Sequence, residues 1–194
     1  TVSGGEALVQ WEFARAILKR SQEEGIHTCL ETALHCRPEV LEVVYPFVDL
    51  VITDLKHMSP ERHREHTGVG ADRIRKNLIK TIQMGKPVIV RIPVVPGYND
   101  DEDNIRATAV FIAEGLGNQV LQVQLLPYRP LGIEKYASLG LDYPMEGDAQ
   151  PDRATSDQAI RSLVSLMTSY GVPAVAGASS TGLSAQARAK ALGA

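Results

Sequence analysis

Charged and conformationally special residues recur in this chain at one kind of place, the end of an apolar run. Gly4, Gly5 and Glu6 stand directly ahead of the amphipathic stretch Ala7 to Arg20. The run Ile26 to Thr32 ends in Glu31 and Thr32, and Phe47 to Leu55 delivers Asp54, Leu55, Lys56 and His57. Pro87 to Val95 carries Arg91 and Pro93 before Pro96-Gly97, and Val120 to Leu126 gives way to Pro127, Tyr128 and Arg129. A glycine pair has no Cβ, so its backbone turns sharply and approaches a ligand closely. Together these groups suit a zwitterion. The Glu6 carboxylate and the backbone carbonyls near Gly4 and Gly5 are acceptors for an ammonium, and Lys56 and Arg91 are donors for a carboxylate. Two carboxylates held close together repel, and a small cation shared by Glu31 and Asp54 would relieve that. Apolar backbone edges at Pro93 and Leu126 would flank a flat ring.

Each feature has a plainer reading beside it. A lone Gly-Gly-Glu is most often a turn before a helix. Asp54 and Lys56 alone read equally well as a surface pair of little energetic weight, and Glu31 as a solvated strand end. Arg91 is different, because a guanidinium inside an apolar strand must find a partner or a ligand. His57, His63 and His66 lie on a charged stretch, make no metal-ligand pattern and read as solvated. Cys29 reads as a small buried apolar residue and Cys36 as exposed. The loop Pro96-Gly97-Tyr98 is either a tight turn or the border of a channel.

Elements that position these residues follow from apolar periodicity. Helices are expected over 7–20, with Trp11 and Ile17 on its buried face, and over 37–45, 71–84, 102–116 and 155–170. Ser59 is placed to cap a further helix, with Pro60 at its first position. Strands are expected over 26–32, 47–55, 87–95, 120–126 and 172–176, and 131–153 reads as irregular. Near-continuous apolar strands alternating with helices imply a parallel sheet covered by helices. Right-handed crossovers then make either a doubly wound sheet or a barrel, and in both the ligands sit at the C-terminal strand ends. Residues 1–178 read as one α/β unit and 179–194 as a tail.

Composition narrows the classes. The 194 residues are 44% hydrophobic and 22% charged, ordinary for a folded domain. A net charge of −3 without a basic cluster argues against a nucleic-acid partner. No apolar run is long enough to span a bilayer, so no membrane partner is expected, and a reducing cytoplasm is the default location. Cys29 and Cys36, seven positions apart, fit neither a usual zinc pair nor a disulfide framework. Thr1 already lies inside the glycine motif, which reads as a piece of a longer polypeptide.

Several stretches, taken together and in order, resemble a known family. SGGEALVQ, GIHTCLET, DLVITDLKHM, HTGV, GKPVIVRIPVVPGYND and LLPYRPLGIEKY, within about residues 1–146, are similar to the glycyl-radical enzyme activating enzymes, radical S-adenosylmethionine proteins of which the pyruvate formate-lyase activating enzyme is the best known. The resemblance implies a partial (β/α) barrel of parallel strands with outer helices, here truncated at its N-terminus. It implies that Gly4, Gly5 and Glu6 hold the methionyl ammonium of S-adenosylmethionine, and that Asp54, Leu55 and Lys56 meet the methionyl carboxylate and its surroundings. Glu31 and Asp54 would hold a monovalent cation near that carboxylate. Arg91 and Pro93 would line the nucleoside side, and Leu126 to Arg129 the adenine side. In the whole family protein, one electron from a [4Fe–4S] cluster cleaves S-adenosylmethionine to methionine and a 5′-deoxyadenosyl radical, which takes a hydrogen from a glycine of a partner enzyme. The implied partners are the glycine loop of a glycyl-radical enzyme and an electron donor such as flavodoxin or ferredoxin.

The chain departs from the family pattern at three points. The CxxxCxxC motif that binds the cluster is absent, so no iron–sulfur ligand is expected in this chain and the cluster is expected only in the complete protein. Glu31 stands where the family usually has Asp, and Arg129 where it often has His. Two other classes compete: a cluster-free module that docks a glycyl-radical enzyme or a nucleoside without chemistry, and a (β/α) metal hydrolase, which would need histidines among the strand-end ligands.

Overall fold

The structure is a computed structural model and describes residues 1–130, 132–143, 145 and 152–178. The expected tail over 179–194 lies outside the described residues.

Five strands form one parallel sheet in sequential order: β1 (Cys29–Glu31), β2 (Leu50–Asp54), β3 (Val88–Val94), β4 (Gln122–Pro127) and β5 (Ala174–Ala176). Each crossover advances one position in the same direction. The sheet therefore winds one way, as a partial barrel does, and lacks the reversal of a doubly wound sheet. At the β1 edge Val2 adds a single parallel bridge to Leu30; its N–H donates to Cys29 O at 2.8 Å and its C=O accepts from Glu31 N at 3.0 Å.

Seven α-helices accompany the strands: α1 (Trp11–Glu23), α2 (Pro38–Val44), α3 (Pro60–Thr67), α4 (Asp72–Gln83), α5 (Glu102–Val110), α6 (Ile133–Ser138) and α7 (Arg153–Ser169) among the described residues. Capping sets three of their starts. Ser59 Oγ accepts from Arg62 N–H at 3.2 Å, Asp101 Oδ1 from Asn104 N–H at 2.9 Å, and Asp152 Oδ1 from Ala154 N–H at 2.8 Å. The Asp152 cap explains why α7 begins two residues before the apolar periodicity indicated. Within the stretch expected to be irregular, α6 is a short helix. The first helix also departs from expectation. Ala7–Gln10 is a 3-10 turn, and the α-helix proper starts at Trp11. Trp11 is half-buried against the core, whereas Val9, Phe13 and Ile17 face outward.

Strand alternation and register sort the side chains onto two faces. Leu30, Val51, Val88, Val90, Ile92, Val123, Leu125 and Ala174 enter the main core beneath the helices. On the opposite, concave face Cys29, Leu50 and Ile89 make a small apolar floor with Ile52 and Leu121. The same face is polar toward the C-terminal strand ends. Asp54 pairs in register with Arg91 and Arg91 with Gln124, while Glu31 aligns with Ile52 one strand over. The sequence positions the polar groups by period alone: each lies an even number of residues from an apolar floor position on its own strand or a neighbour in register.

Candidate functional site

The glycine motif leaves the Val2 bridge in a conformation that side chains resist. Gly4 has φ +102° and Gly5 φ +55°, and no atom lies within 4 Å of where a Cβ would sit at either. The requirement is for the left-handed backbone and not for space. Glu6 then returns to extended geometry and folds its carboxylate back. Oε1 accepts from Leu8 N–H at 2.9 Å and from Thr32 Oγ1 at 2.7 Å, and Oε2 accepts from Ala33 N–H at 2.8 Å. Glu6 thereby fastens the glycine loop to the end of β1. A carboxylate has about four acceptor sites, so little of its capacity is left over.

The segment after β1 is locked from the other side as well. Leu34 is fully buried with φ +58°, a sparsely populated region for a branched side chain. Thr32 Oγ1 accepts from its N–H at 3.0 Å. From α4, the buried Asn77 Nδ2 donates to Leu34 O at 2.7 Å and to Cys36 O at 2.9 Å.

Acids and bases pair along the polar part of the concave face. Arg91 Nη1 lies 2.8 Å from Glu31 Oε1, and Lys56 Nζ lies 3.4 Å from Asp54 Oδ2. All four side chains keep some exposure, so they remain reachable by a ligand. Leu55 is buried and its N–H donates to Arg91 O at 2.8 Å, which carries the β2 pairing past the strand end. Pro93 pairs in register with Leu126. Among the described residues no three His, Cys, Asp or Glu side chains converge as a metal-holding group.

A cavity of about 560 Å³ opens beside Lys56 and Pro93, with His57, His63, Tyr98, Asn99 and Tyr136 among its walls. His57 and His63 are buried, contrary to the solvated reading of their stretch. The Ser59-Pro60 helix start turns the chain back and folds both rings inward. His57 Nδ1 accepts from Ser59 N–H at 2.9 Å, which leaves the neutral ring's proton on Nε2. Burial, and then the Arg62 guanidinium, push the His57 pKa below the ordinary histidine value. Arg129 stands apart from this group. It is exposed and lines a second cavity, of about 400 Å³, with Val94, Pro127 and the α7 residues Ile160 and Leu163.

The two cysteines do not fit an iron–sulfur cluster. Cys29 is on the apolar floor, and Cys36 is half-buried beyond β1. The two lie apart on different segments, where a cluster loop would bring three thiols together; burial pushes both thiols up, Cys36 to about 11.

Comparison with known proteins places this arrangement in a class. The family model of the radical SAM superfamily matches residues 1–109, and the chain belongs to that superfamily. Activating enzymes are among its relatives. The chain is 42% identical over 91% of its length to the (2S)-3-sulfopropanediol dehydratase activating enzyme of Klebsiella oxytoca, covering 56% of that protein. It is 35% identical over 83% of its length to the pyruvate formate-lyase-activating enzyme of Staphylococcus aureus, covering 64% of it. It thus spans little more than half the length of these curated relatives. A solved domain of the pyruvate-formate lyase-activating enzyme from Bacteroides vulgatus superposes with a TM-score of 0.73 at 30% identity, covering 90% of this chain and 96% of that one. Streptococcus suis SuiB shares the fold at 16% identity and a TM-score of 0.65, covering 91% of this chain and 37% of SuiB.

Proposed function

We propose that this chain is the part of a glycyl-radical enzyme activating enzyme that grips S-adenosylmethionine and meets the partner. One observation carries the reading: the glycine loop, the Asp54–Lys56 pair and the Glu31–Arg91 pair all sit at the C-terminal rim of one singly wound parallel sheet. In this reading the carbonyls of Gly4 and Gly5, with the remaining acceptor site of Glu6, take the methionyl ammonium. Lys56 and Arg91 meet its carboxylate, each held in place by an acid. A monovalent cation at Glu31 and Asp54 would have to displace or share those basic partners. Leu55, Pro93 and Leu126 offer backbone and apolar edges to the nucleoside.

In a complete activating enzyme, a bound [4Fe–4S] cluster would supply the electron for reductive cleavage of S-adenosylmethionine, taken from a donor such as flavodoxin or ferredoxin. Relatives are named for a dehydratase, a sulfite-lyase, a decarboxylase and a formate-lyase, so the partner is proposed by class only, as the glycine loop of a glycyl-radical enzyme. The competing reading is a cluster-free module that docks such an enzyme, or a nucleoside, without chemistry. One experiment separates the two. The natural polypeptide that carries this sequence is prepared without oxygen, supplied with iron, sulfide and reductant, and incubated with S-adenosylmethionine. Release of 5′-deoxyadenosine, with a glycine-centred radical signal on an added glycyl-radical enzyme, supports the first reading. Tight docking with no 5′-deoxyadenosine supports the second and rejects the first.

A further inference from the structure

The geometry points to Asn99 as a positioning residue that holds the β2 and β3 ends of this rim in register; the ligand half of this inference rests on the S-adenosylmethionine reading above. Asn99 stands in the turn after β3 and is 5% exposed. Its Nδ2 donates to Lys56 O at 2.8 Å and to Pro93 O at 2.7 Å. Its Oδ1 accepts from Val95 N–H at 2.7 Å. Both amide protons are thus spent on carbonyls, one just past the end of β2 and one within β3, at residues that line the same cavity.

A second amide braces the first. Asn104, at the start of α5 and also 5% exposed, donates from Nδ2 to Asn99 O at 2.9 Å and accepts at Oδ1 from Met58 N–H at 2.9 Å. The chain of bonds runs from the segment after β2, through two buried side chains, to the end of β3. No other side-chain type fits at Asn99 equally well. Asp has the shape but cannot donate, and would set a negative oxygen against two carbonyls. Ala would remove the one side chain that now bonds the Lys56 and Pro93 carbonyls and the Val95 N–H. Lys56 and Pro93 are where the ligand is proposed to bind, so the bonds of Asn99 convert a turn after one strand into alignment of two strand ends.

The test uses the chain as it stands, with Asn99→Asp, Asn99→Ala, Asn104→Ala and, as a distant control, Tyr45→Phe, which removes the buried Tyr45–Thr81 bond of 2.7 Å. Amide hydrogen exchange and the Kd for S-adenosylmethionine are read on each. Asn99→Asp, which keeps the acceptor for Val95 N–H, is expected to speed exchange at Leu55 and Met58 about tenfold or more, with α1 and α7 unchanged, and to raise Kd about tenfold; Asn99→Ala is expected to speed Val95 as well. Tyr45→Phe is expected to lower thermal stability while leaving both readouts alone. Acceleration confined to Val95, or an unchanged Kd, overturns the assignment. If neither Asn99 variant folds, Asn104→Ala decides: unchanged exchange at Met58 and Leu55 overturns it. A wild-type chain that binds no S-adenosylmethionine rejects the ligand reading, and exchange alone then decides the structural role.

Discussion

Arg91 reaches across an entire strand to Glu31, 2.8 Å away, from β3 over β2 to β1. The two residues are in register with Asp54 and Ile52 respectively, so the pair lies diagonally on the polar part of the concave face. Because both side chains keep contact with solvent, the pair adds little to stability. Glu31→Gln is therefore expected to change unfolding free energy by no more than about 1 kcal/mol. It is expected to weaken ligand binding all the same, because Arg91 loses the acid that aims it. Denaturant unfolding and ligand titration on the same variant separate the two effects.

Glu6 behaves in the opposite way. Its carboxylate accepts from Leu8, Thr32 and Ala33, and these bonds join the glycine loop to β1. Glu6→Ala is expected to cost about 2–3 kcal/mol, the penalty of leaving partly buried donors without an acceptor. Glu12→Ala, on the exposed side of α1, is expected to stay within about 0.5 kcal/mol. Urea unfolding of both variants checks the contrast.

Much of this architecture can be read from the chain. The apolar runs that become β2, β3 and β4 are continuous because a parallel sheet under helices buries them, and each run ends at the polar residue the site uses. Glycines at 4 and 5 announce a left-handed turn. Other features depend on contacts distant in sequence and carry no local signal. Glu6 meeting Ala33, Asn77 holding the Leu34 carbonyl and Asn99 joining Lys56 to Pro93 are of this kind. The buried histidines belong to the same group. His57 and His63 sit among charged neighbours, and only the fold of α3 against the rim takes them from water. Asp152, by contrast, carries a local signal, an acid just before a helix, which apolar periodicity alone passes over.

His57 makes stability depend on pH. Its folded pKa is lowered, first by burial and then by Arg62, with His63 and His66 adding to the effect and Asp101 opposing it. A lowered histidine pKa means that the unfolded chain takes up a proton before the folded one does. Stability contributed this way is full above the unfolded value of about 6.5 and falls as pH drops through and below it. His57→Asn keeps an acceptor for Ser59 N–H and does not titrate, so thermal unfolding between pH 8 and pH 5 is expected to show a smaller decline than in wild type.

Cys36 is expected to be a slow nucleophile. Burial, and next the charge of Glu6, raise its thiol to about 11. At pH 8 the thiolate fraction is then roughly 100-fold below that of an ordinary cysteine. Alkylation by iodoacetamide is expected to be slower in the native chain than in urea by at least that factor, followed by mass spectrometry. Equal rates in the two conditions would contradict the buried placement.

The central claim is that one rim, built from four strand ends and a glycine loop, grips a sulfonium amino acid joined to a nucleoside. Titration of the isotope-labelled chain with S-adenosylmethionine, followed by backbone amide and side-chain NMR, tests it most directly. The account predicts saturable shifts at Gly4, Gly5, Asp54, Lys56, Arg91 and Leu126, lost together in Lys56→Ala. Shifts confined to Ile160, Leu163 and their neighbours on α7, or none that saturate, would contradict it.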